Sequence, residues 1–152
     1  MMNTESFYKA QQILKERFGH DVLIALATVD QDQPSVRTVN AYYEDRRFFI
    51  ITHEASNKML QIHTNPNVAI SGDWFTAHGK GIDLGWFCKE ENKEIADKLK
   101  IVFASWIDNG HNNFEDTNTC ILCIELTDAI LFSKGTRYDI DFTKTESVHL
   151  PK

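Results

Sequence analysis

The sequence has few of the residues that build covalently linked, fibrous or membrane-spanning proteins. Its 152 residues include only three cysteines, three prolines and seven glycines. Three cysteines do not make a disulfide framework, and the low proline and glycine content excludes collagen-like and low-complexity chains. No run of about 18 apolar residues occurs, and residues 1–19 interrupt their apolar positions with charge, unlike a signal peptide. We therefore expect a cytoplasmic protein with no membrane partner.

Basic residues are also scarce, with 16 against 22 acidic residues and a formal charge of -6. This charge opposes attraction to nucleic acids and anionic surfaces, so no nucleic-acid partner is expected. The alternative is an oligonucleotide-binding barrel in which Tyr42, Tyr43, Phe48 and Phe49 stack on bases. Binding to single strands that weakens steeply with salt would support that alternative.

Metal-binding motifs are missing as well. Cys120 and Cys123 form a C-x-x-C pair, but they lie in the apolar, strand-like run "TCILCIEL". An odd separation along a strand directs the two side chains to opposite faces, so they cannot share a metal. The six histidines show no paired ligand spacing on a predicted helix. The sequence therefore predicts no metal site and two cysteines in the core.

Periodic apolar positions predict three helices. The first covers 5–18, and Gly19 follows as a C-terminal cap. The second begins after Ser56 as N-cap and stops at Asn65-Pro66. The third covers 89–106, and its stripe is more typical of a helix packed on its own domain than of a partner-binding face. The two long stripes are Phe7, Ala10, Leu14 and Phe18, and then Ile95, Leu99, Val102, Phe103 and Trp106.

The remaining apolar runs predict strands. "DVLIALATV" is almost wholly apolar, which indicates a strand covered on both faces. "SVRTVNAYY" and "RFFIITH" flank Glu44-Asp45 and predict a hairpin, and a Lys134-Gly135 turn separates the last two strands. Six or seven strands joined by short turns, with helices between them, predict an antiparallel β-barrel in one α+β domain over 1–152.

Strand counting in the first hairpin brings polar residues together. A two-residue Glu44-Asp45 turn places Arg37 opposite Thr52, and a register shifted by one places it opposite Glu54. In both registers Arg37 lies at the end of the hairpin where the helix after Ser56 begins. A helix N-terminus has free N–H donors and partial positive charge, and Lys58 lies in its first turn. The pattern predicts an anion site, most simply for a phosphate; the alternative is a set of unrelated surface and cap residues.

Residues 26–70, "LATVDQDQPSVRTVNAYYEDRRFFIITHEASNKMLQIHTNPNVAI", also resemble the core of a known family. The segment begins with a strand ending in "LATV" and a D-x-D-x-P turn. An arginine in the next strand follows, then a threonine at the end of the third strand, and finally S-x-K and "NP-x-V". This order resembles the pyridoxamine 5'-phosphate oxidase-like proteins, which are flavin mononucleotide (FMN)-binding split barrels and include nitroimidazole-resistance and general stress proteins. The resemblance implies a six- to seven-stranded antiparallel split β-barrel with flanking helices.

The resemblance also implies a cofactor, FMN, and a set of residues that bind it. Arg37 and Lys58 would bind the phosphate. The backbone groups of Thr38 and Val39 would face the isoalloxazine edge. A homodimer with flavin sites at its interface is implied, to which Trp74 and Trp86 would add aromatic contacts from the partner. The implied cofactor-binding residues are Arg37, Thr38, Val39, Thr52, His53, Ser56, Asn57, Lys58 and Trp74.

The resemblance further implies an FMN-dependent oxidoreductase that moves electrons from a reduced donor through the flavin to a small acceptor. No catalytic residue is assigned. Pyridoxamine phosphate oxidases end in a basic, tryptophan-containing segment, whereas this chain ends "TRYDIDFTKTESVHLPK", so vitamin B6 oxidation is not expected. The alternative is a flavin-binding sensor or storage module without turnover, and flavin adenine dinucleotide (FAD) or a deazaflavin is the alternative cofactor.

Overall fold

Residues 3–110 and 112–144 are the part of the chain that the computed structural model describes. Within it, the chain forms three α-helices and seven strands. In chain order these are α1 (Thr4–Phe18), β1 (Val22–Asp30), β2 (Gln33–Glu44), β3 (Arg47–His53), α2 (Asn57–Thr64), β4 (Asn67–Gly72), β5 (Phe75–Trp86), α3 (Lys93–Val102), β6 (Thr119–Ser133) and β7 (Thr136–Asp141). The segment after Lys144, part of the ending that argued against vitamin B6 oxidation, lies outside the described residues.

The helices follow the predicted apolar stripes. In α1 the buried residues are the four of the predicted stripe, and the side chain of Asn3 caps the N-terminus by accepting a hydrogen bond from the Ser6 N–H at 2.8 Å. Ser56 occupies the N-cap position of α2, as predicted, although its side chain makes no capping hydrogen bond. No helix within the described ranges is both long enough and apolar enough to cross a membrane.

The strands form one antiparallel sheet that closes into a barrel. Their order is β3-β2-β1-β4-β5-β6-β7, and an additional pairing of β3 with β6 closes six of them, with β7 outside on β6. Alternate residues of each strand point inward, so one core cluster fills the barrel and includes Leu26, Ala41, Phe48, Ile70 and Leu122. The prediction of an antiparallel α+β split barrel is confirmed.

The barrel has a gap between β2 and β3. These two strands pair only at Tyr42–Phe49, Tyr43–Phe48 and Glu44–Arg47. The turn is therefore Asp45-Arg46 and not Glu44-Asp45, so the observed register is the alternative one, shifted by one residue, that would set Arg37 against Glu54. Both turn residues adopt left-handed φ angles, 47° and 68°, as a type I′ hairpin requires. Neither Thr52 nor Glu54 faces Arg37 across a ladder, because β2 pairs with β3 only from Tyr42 onward and its earlier residues pair with β1.

Two helices cover opposite ends of the barrel. Phe75, at the start of β5, packs on Phe18 of α1 with ring centroids 5.2 Å apart. Six residues further along β5, Gly81 packs against Ile62 of α2. A Cβ atom on Gly81 would lie 2.8 Å from Cγ2 of Ile62, so glycine is what lets α2 lie directly on the strand. Helix α2 therefore has a fixed position over the end where the gap opens.

Helix α3 packs on the outside of the barrel. Its Leu99 and the following Phe103 are buried in a second core cluster with Phe49, Ile121 and Cys123, so the prediction of a helix packed on its own domain is confirmed. The predicted span of 89–106 is too long. A 3-10 turn, Glu90–Asn92, precedes α3, and after Val102 the chain continues in turns, for example with the Trp106 N–H bonded to the Phe103 carbonyl at 3.0 Å.

The two strand cysteines point to opposite faces. Cys120 belongs to the cluster inside the barrel and Cys123 to the cluster under α3. Burial raises the pKa of the Cys120 thiol to about 12 and that of the Cys123 thiol to about 11, so both remain protonated at neutral pH. The prediction of two separate core cysteines is confirmed.

The described residues leave the outer face of β1 partly exposed, contrary to the prediction of a strand buried on both sides. Residues Ile24, Leu26 and Thr28 point into the barrel, whereas Leu23 is 64% exposed. Small side chains continue this outer face and form a shallow, mainly apolar depression of about 360 Å³. Its lining includes Ala25, Ala27, Val36, Ala69 and Ile130.

Candidate functional site

Arg37 lies at the open end of the barrel, beside the gap. It shares a face of β2 with Ala41 and Tyr43, which are buried in the barrel core. Its Nη1 donates to the carbonyl oxygen of Leu26 at 3.2 Å and to Oγ1 of Thr28 at 2.7 Å. These two bonds hold one edge of the guanidinium and leave its remaining N–H groups available to an anion.

Lys58 lies across the gap on the first turn of α2. Its Nζ donates to Oγ1 of Thr52 at 2.8 Å, and Oγ1 of Thr52 lies 3.4 Å from Oγ of Ser56. Thr52 is the penultimate residue of β3, on its inward-pointing face, and Ser56 precedes α2, so the strand end and the helix start are linked by side chains. Four residues of the predicted phosphate site, Arg37, Thr52, Ser56 and Lys58, are therefore brought to one end of the barrel.

The two cations of this site are close enough to influence each other. Burial, and to a smaller extent the nearby Arg37 guanidinium, lowers the pKa of the Lys58 ammonium. Burial also lowers the pKa of the Arg37 guanidinium. Within residues 3–110 and 112–144 neither cation forms an ion pair with a carboxylate. A bound anion would offset both the repulsion and the desolvation, so the pair is chemically suited to a group with two negative charges.

The start of α2 adds hydrogen-bond donors to the two cations. Asn57, Lys58 and Met59 are its first residues, so their amide N–H groups have no partner within the helix. Helix N-termini with such free donors are common phosphate-binding sites in proteins. Cations, hydroxyls and the helix start together suit a phosphate chemically, as the sequence indicated.

Thr38 and Val39 lie on a strand with one free edge. Thr38 pairs with Ala25 and Val39 with Ile24, both in β1. On its other edge β2 meets β3 only from Tyr42 onward, so the backbone beside the gap has no strand partner within the described ranges. A planar, hydrogen-bonding ligand can pair with such an edge.

His53 and Asn57 occupy the margin of the site. The Nε2 of His53 lies 3.0 Å from Oδ2 of Asp116, and its Nδ1 accepts a hydrogen bond from the Ala55 N–H at 3.1 Å. The ring is thus fixed against the loop that precedes β6. Asn57 is exposed on the first turn of α2.

Trp74 and Trp86, the two tryptophans suggested as flavin contacts, lie away from this site. Trp74 occupies the β4–β5 turn, is 71% exposed, and its ring packs edge-on against Phe132 at 6.2 Å. That turn lies at the α1 end of the barrel, away from Arg37 and Lys58. Trp86 packs in the cluster under α3, and its Nε1 donates to the carbonyl oxygen of Phe114 at 2.8 Å. Contact of either ring with a partner's flavin stays a prediction.

The sequence did not indicate Thr28 and Gln61, two residues that help to position Arg37. Thr28 is fully buried, accepts from Arg37, and donates to Oε1 of Gln61 in α2. This chain of hydrogen bonds joins β2, β1 and α2 beneath the site. Thr28 lies in an otherwise apolar inward-facing row, and a buried hydroxyl in such a row was the one available signal.

Comparisons with known proteins bear on the family and the fold of the chain. The family model described as pyridoxamine 5'-phosphate oxidase matches residues 10–88. A curated pyridoxine/pyridoxamine 5'-phosphate oxidase of Rippkaea orientalis is 28% identical over 127 residues, covering 64% of this chain and 60% of the relative. The chain therefore spans less than two thirds of the length of that relative.

Solved structures share the fold. A NimC/NimA family protein of Clostridium acetobutylicum superposes with a TM-score of 0.62 at 18% identity, covering 90% of this chain and 98% of the other. A protein of Mesorhizobium loti described as FAD-binding superposes with a TM-score of 0.63 at 14% identity, covering 78% and 90%. Since the matched model spans just over half of the sequence, including β1 to β5 and α2, this chain belongs to the pyridoxamine 5'-phosphate oxidase family.

Proposed function

We propose that the protein is an FMN-dependent oxidoreductase that passes electrons from a reduced donor through the flavin to a small acceptor. The observation that carries the proposal is the pair Arg37 and Lys58, two partly buried cations beside a helix start with no carboxylate partner in the described ranges. The phosphate ester of FMN carries nearly two negative charges at neutral pH, as phosphate monoesters do, and so matches this pair. Each phosphate of FAD carries one charge, so FAD is the less well matched flavin.

The residues of the site divide the work of holding the cofactor. The guanidinium of Arg37 and the ammonium of Lys58 bind phosphate oxygens, with the hydroxyls of Thr52 and Ser56 and the first amides of α2 as further donors. The free edge of β2 at Thr38 and Val39 pairs with the polar edge of the ring system. Flavin, when bound, supplies hydride acceptance and electron transfer, and the protein supplies binding and orientation.

A homodimer with flavin sites at its interface belongs to the same proposal. It is supported by the uncovered outer face of β1 and its neighbours, where Leu23 and Val36 are 64% and 69% exposed. Exposed apolar patches of this kind mark interaction surfaces. A second copy would cover the strand that the sequence predicts to be buried on both sides, and Trp74 would be available to the partner's cofactor.

Binding of single-stranded nucleic acid is not supported. Three of the four rings suggested as stacking platforms are buried, with Phe48 0%, Tyr43 3% and Phe49 4% exposed. Rings with so little exposed surface cannot stack on bases.

Reduction of the bound flavin separates an enzyme from a flavin-binding sensor or storage module. The purified protein, loaded with FMN, is mixed with reduced nicotinamide under anaerobic conditions, and absorbance near the flavin band is followed. We expect bleaching faster than for free FMN at the same concentration, and recovery of the band when a small acceptor such as a nitroimidazole is added.

The control for that experiment is free FMN at the same concentration, mixed with heat-inactivated protein. Flavin that stays oxidised with both reduced nicotinamides, or that bleaches only at the rate of free FMN, contradicts turnover with this donor and favours the sensor or storage function.

A further inference from the structure

Three side chains with metal-ligating atoms meet beside the phosphate site. Glu54 follows β3, His63 lies in α2 and Asp83 lies in β5. One ligand atom from each lies within 4.8 Å of the other two. Nε2 of His63 is 3.0 Å from Oδ2 of Asp83 and 3.7 Å from Oε1 of Glu54. The three elements that converge here are separate in sequence, so the cluster exists only in the fold.

The charges of this cluster are incompletely compensated. Oε1 of Glu54 is buried and has no hydrogen-bond partner within the described residues. Oδ1 of Asp83 accepts the Gly85 N–H at 2.8 Å, which fixes the orientation of that carboxylate. Two acidic groups thus lie against one imidazole, and the ion pairs of both involve only that imidazole within residues 3–110 and 112–144.

Two of the three separations between the ligand atoms are close to those around a tetrahedral ion. Ligands about 2.1 Å from Zn²⁺ in tetrahedral geometry lie about 3.4 Å from one another. The two measured separations from Nε2 of His63, 3.0 and 3.7 Å, bracket that value. Side-chain exposures of 47% for His63, 26% for Glu54 and 18% for Asp83 leave a path from solvent and room for a fourth ligand, a water molecule.

We propose that Glu54, His63 and Asp83 bind a divalent transition-metal ion of the Zn²⁺ type, separately from the flavin site. One imidazole and two carboxylates suit Zn²⁺, whereas Mg²⁺ and Ca²⁺ prefer six or more oxygen ligands. The ion supplies positive charge to the two carboxylates and a partner to the buried Oε1 of Glu54. It also links the end of β3, α2 and β5, the elements around the phosphate site.

Calorimetric titration of Zn²⁺ into the chelator-treated full chain tests this proposal. We expect one Zn²⁺ per chain and much weaker binding of Mg²⁺. His63→Gln and Asp83→Asn are each expected to weaken Zn²⁺ binding by more than the roughly 10- to 100-fold lost when residues that merely support a ligand are replaced.

His78→Gln is the matched control, because it removes a histidine of the same kind from another ion pair. Nδ1 of His78 lies 2.8 Å from Oδ1 of Asp128, and the described structure places no third ligand there. This variant is expected to bind Zn²⁺ as the unmodified chain does. Thermal unfolding of each metal-free variant shows whether it folds. The FMN content of each variant shows whether the flavin site is retained.

Three results would overturn the metal site. They are no stoichiometric Zn²⁺ binding by the unmodified chain, unchanged binding by His63→Gln, or equal losses in His63→Gln and His78→Gln. If one variant does not fold, Glu54→Gln carries the same comparison, because it keeps the shape of the side chain and removes its charge. Since FMN content is measured in the same samples, loss of metal binding is distinguished from failure of the flavin site.

Discussion

Arg37→Ala combined with Lys58→Ala is expected to give a folded protein that carries no flavin. Hydrogen bonds to charged groups each contribute about 1.5–3 kcal/mol, so losing both cations removes roughly 3–6 kcal/mol of phosphate binding. At 1.4 kcal/mol per factor of ten this is about a 10²- to 10⁴-fold loss of affinity. The measurement is FMN content after purification, followed by titration of FMN into the stripped protein.

The double variant is expected to fold, because Arg37 and Lys58 repel each other and do not belong to the hydrophobic core. Burial and the Arg37 guanidinium both lower the pKa of the Lys58 ammonium, and the Thr28 hydroxyl keeps its bond to Gln61 without Arg37. Lys134→Ala with Arg137→Ala is the matched control, since it removes the same two charges from the β6–β7 hairpin. Retention of full FMN content by the site variant, or equal loss in the control, contradicts the phosphate assignment.

Phe48→Ala is expected to lower the free energy of unfolding by about 3–5 kcal/mol, the cost typical of removing a fully buried phenylalanine ring. Phe48 is 0% exposed and lies inside the barrel. Its ring centroid is 5.7 Å from that of Phe18, 5.3 Å from that of Tyr43 and 6.2 Å from that of Phe75. The substitution leaves a cavity where α1 packs on the barrel, and urea unfolding followed by circular dichroism measures the loss.

Tyr8→Ala provides the comparison for that variant. Tyr8 lies on the same helix that Phe48 supports but is 40% exposed, so its replacement is expected to change stability by about 0.5 kcal/mol or less. Similar urea midpoints for the two variants would mean that the aromatic cluster does not hold α1 on the barrel.

Local patterns sufficed for most of the fold. The stripe of α1 is buried as predicted, because helical periodicity reports directly on which face meets the core. The Lys134-Gly135 turn is also confirmed, since glycine readily adopts the left-handed φ of 78° found there. The barrel is closed by pairing of β3 with β6. These strands are distant in sequence, so the periodicity of apolar residues does not predict their pairing.

The candidate site was predicted in part. Strand counting brought Arg37 and Thr52 to the start of α2, which is where they lie. Two registers stayed open, and the shifted one is observed, because Asp45 and Arg46 form the turn in left-handed conformations without a glycine to indicate them. The divergence of β2 from β3, which creates the gap, leaves no local signal, and neither does the meeting of Glu54 with His63 and Asp83.

Affinities for FMN and riboflavin, which differ only by the phosphate, test the central claim most directly. Both ligands are titrated into the stripped protein and into the variant lacking both cations. The unmodified chain should prefer FMN by about 10²- to 10⁴-fold, the range expected from two charged contacts, and the variant should bind the two nearly equally. Equal affinities in the unmodified chain, or an unchanged preference in the variant, would show that the phosphate is not held by Arg37 and Lys58.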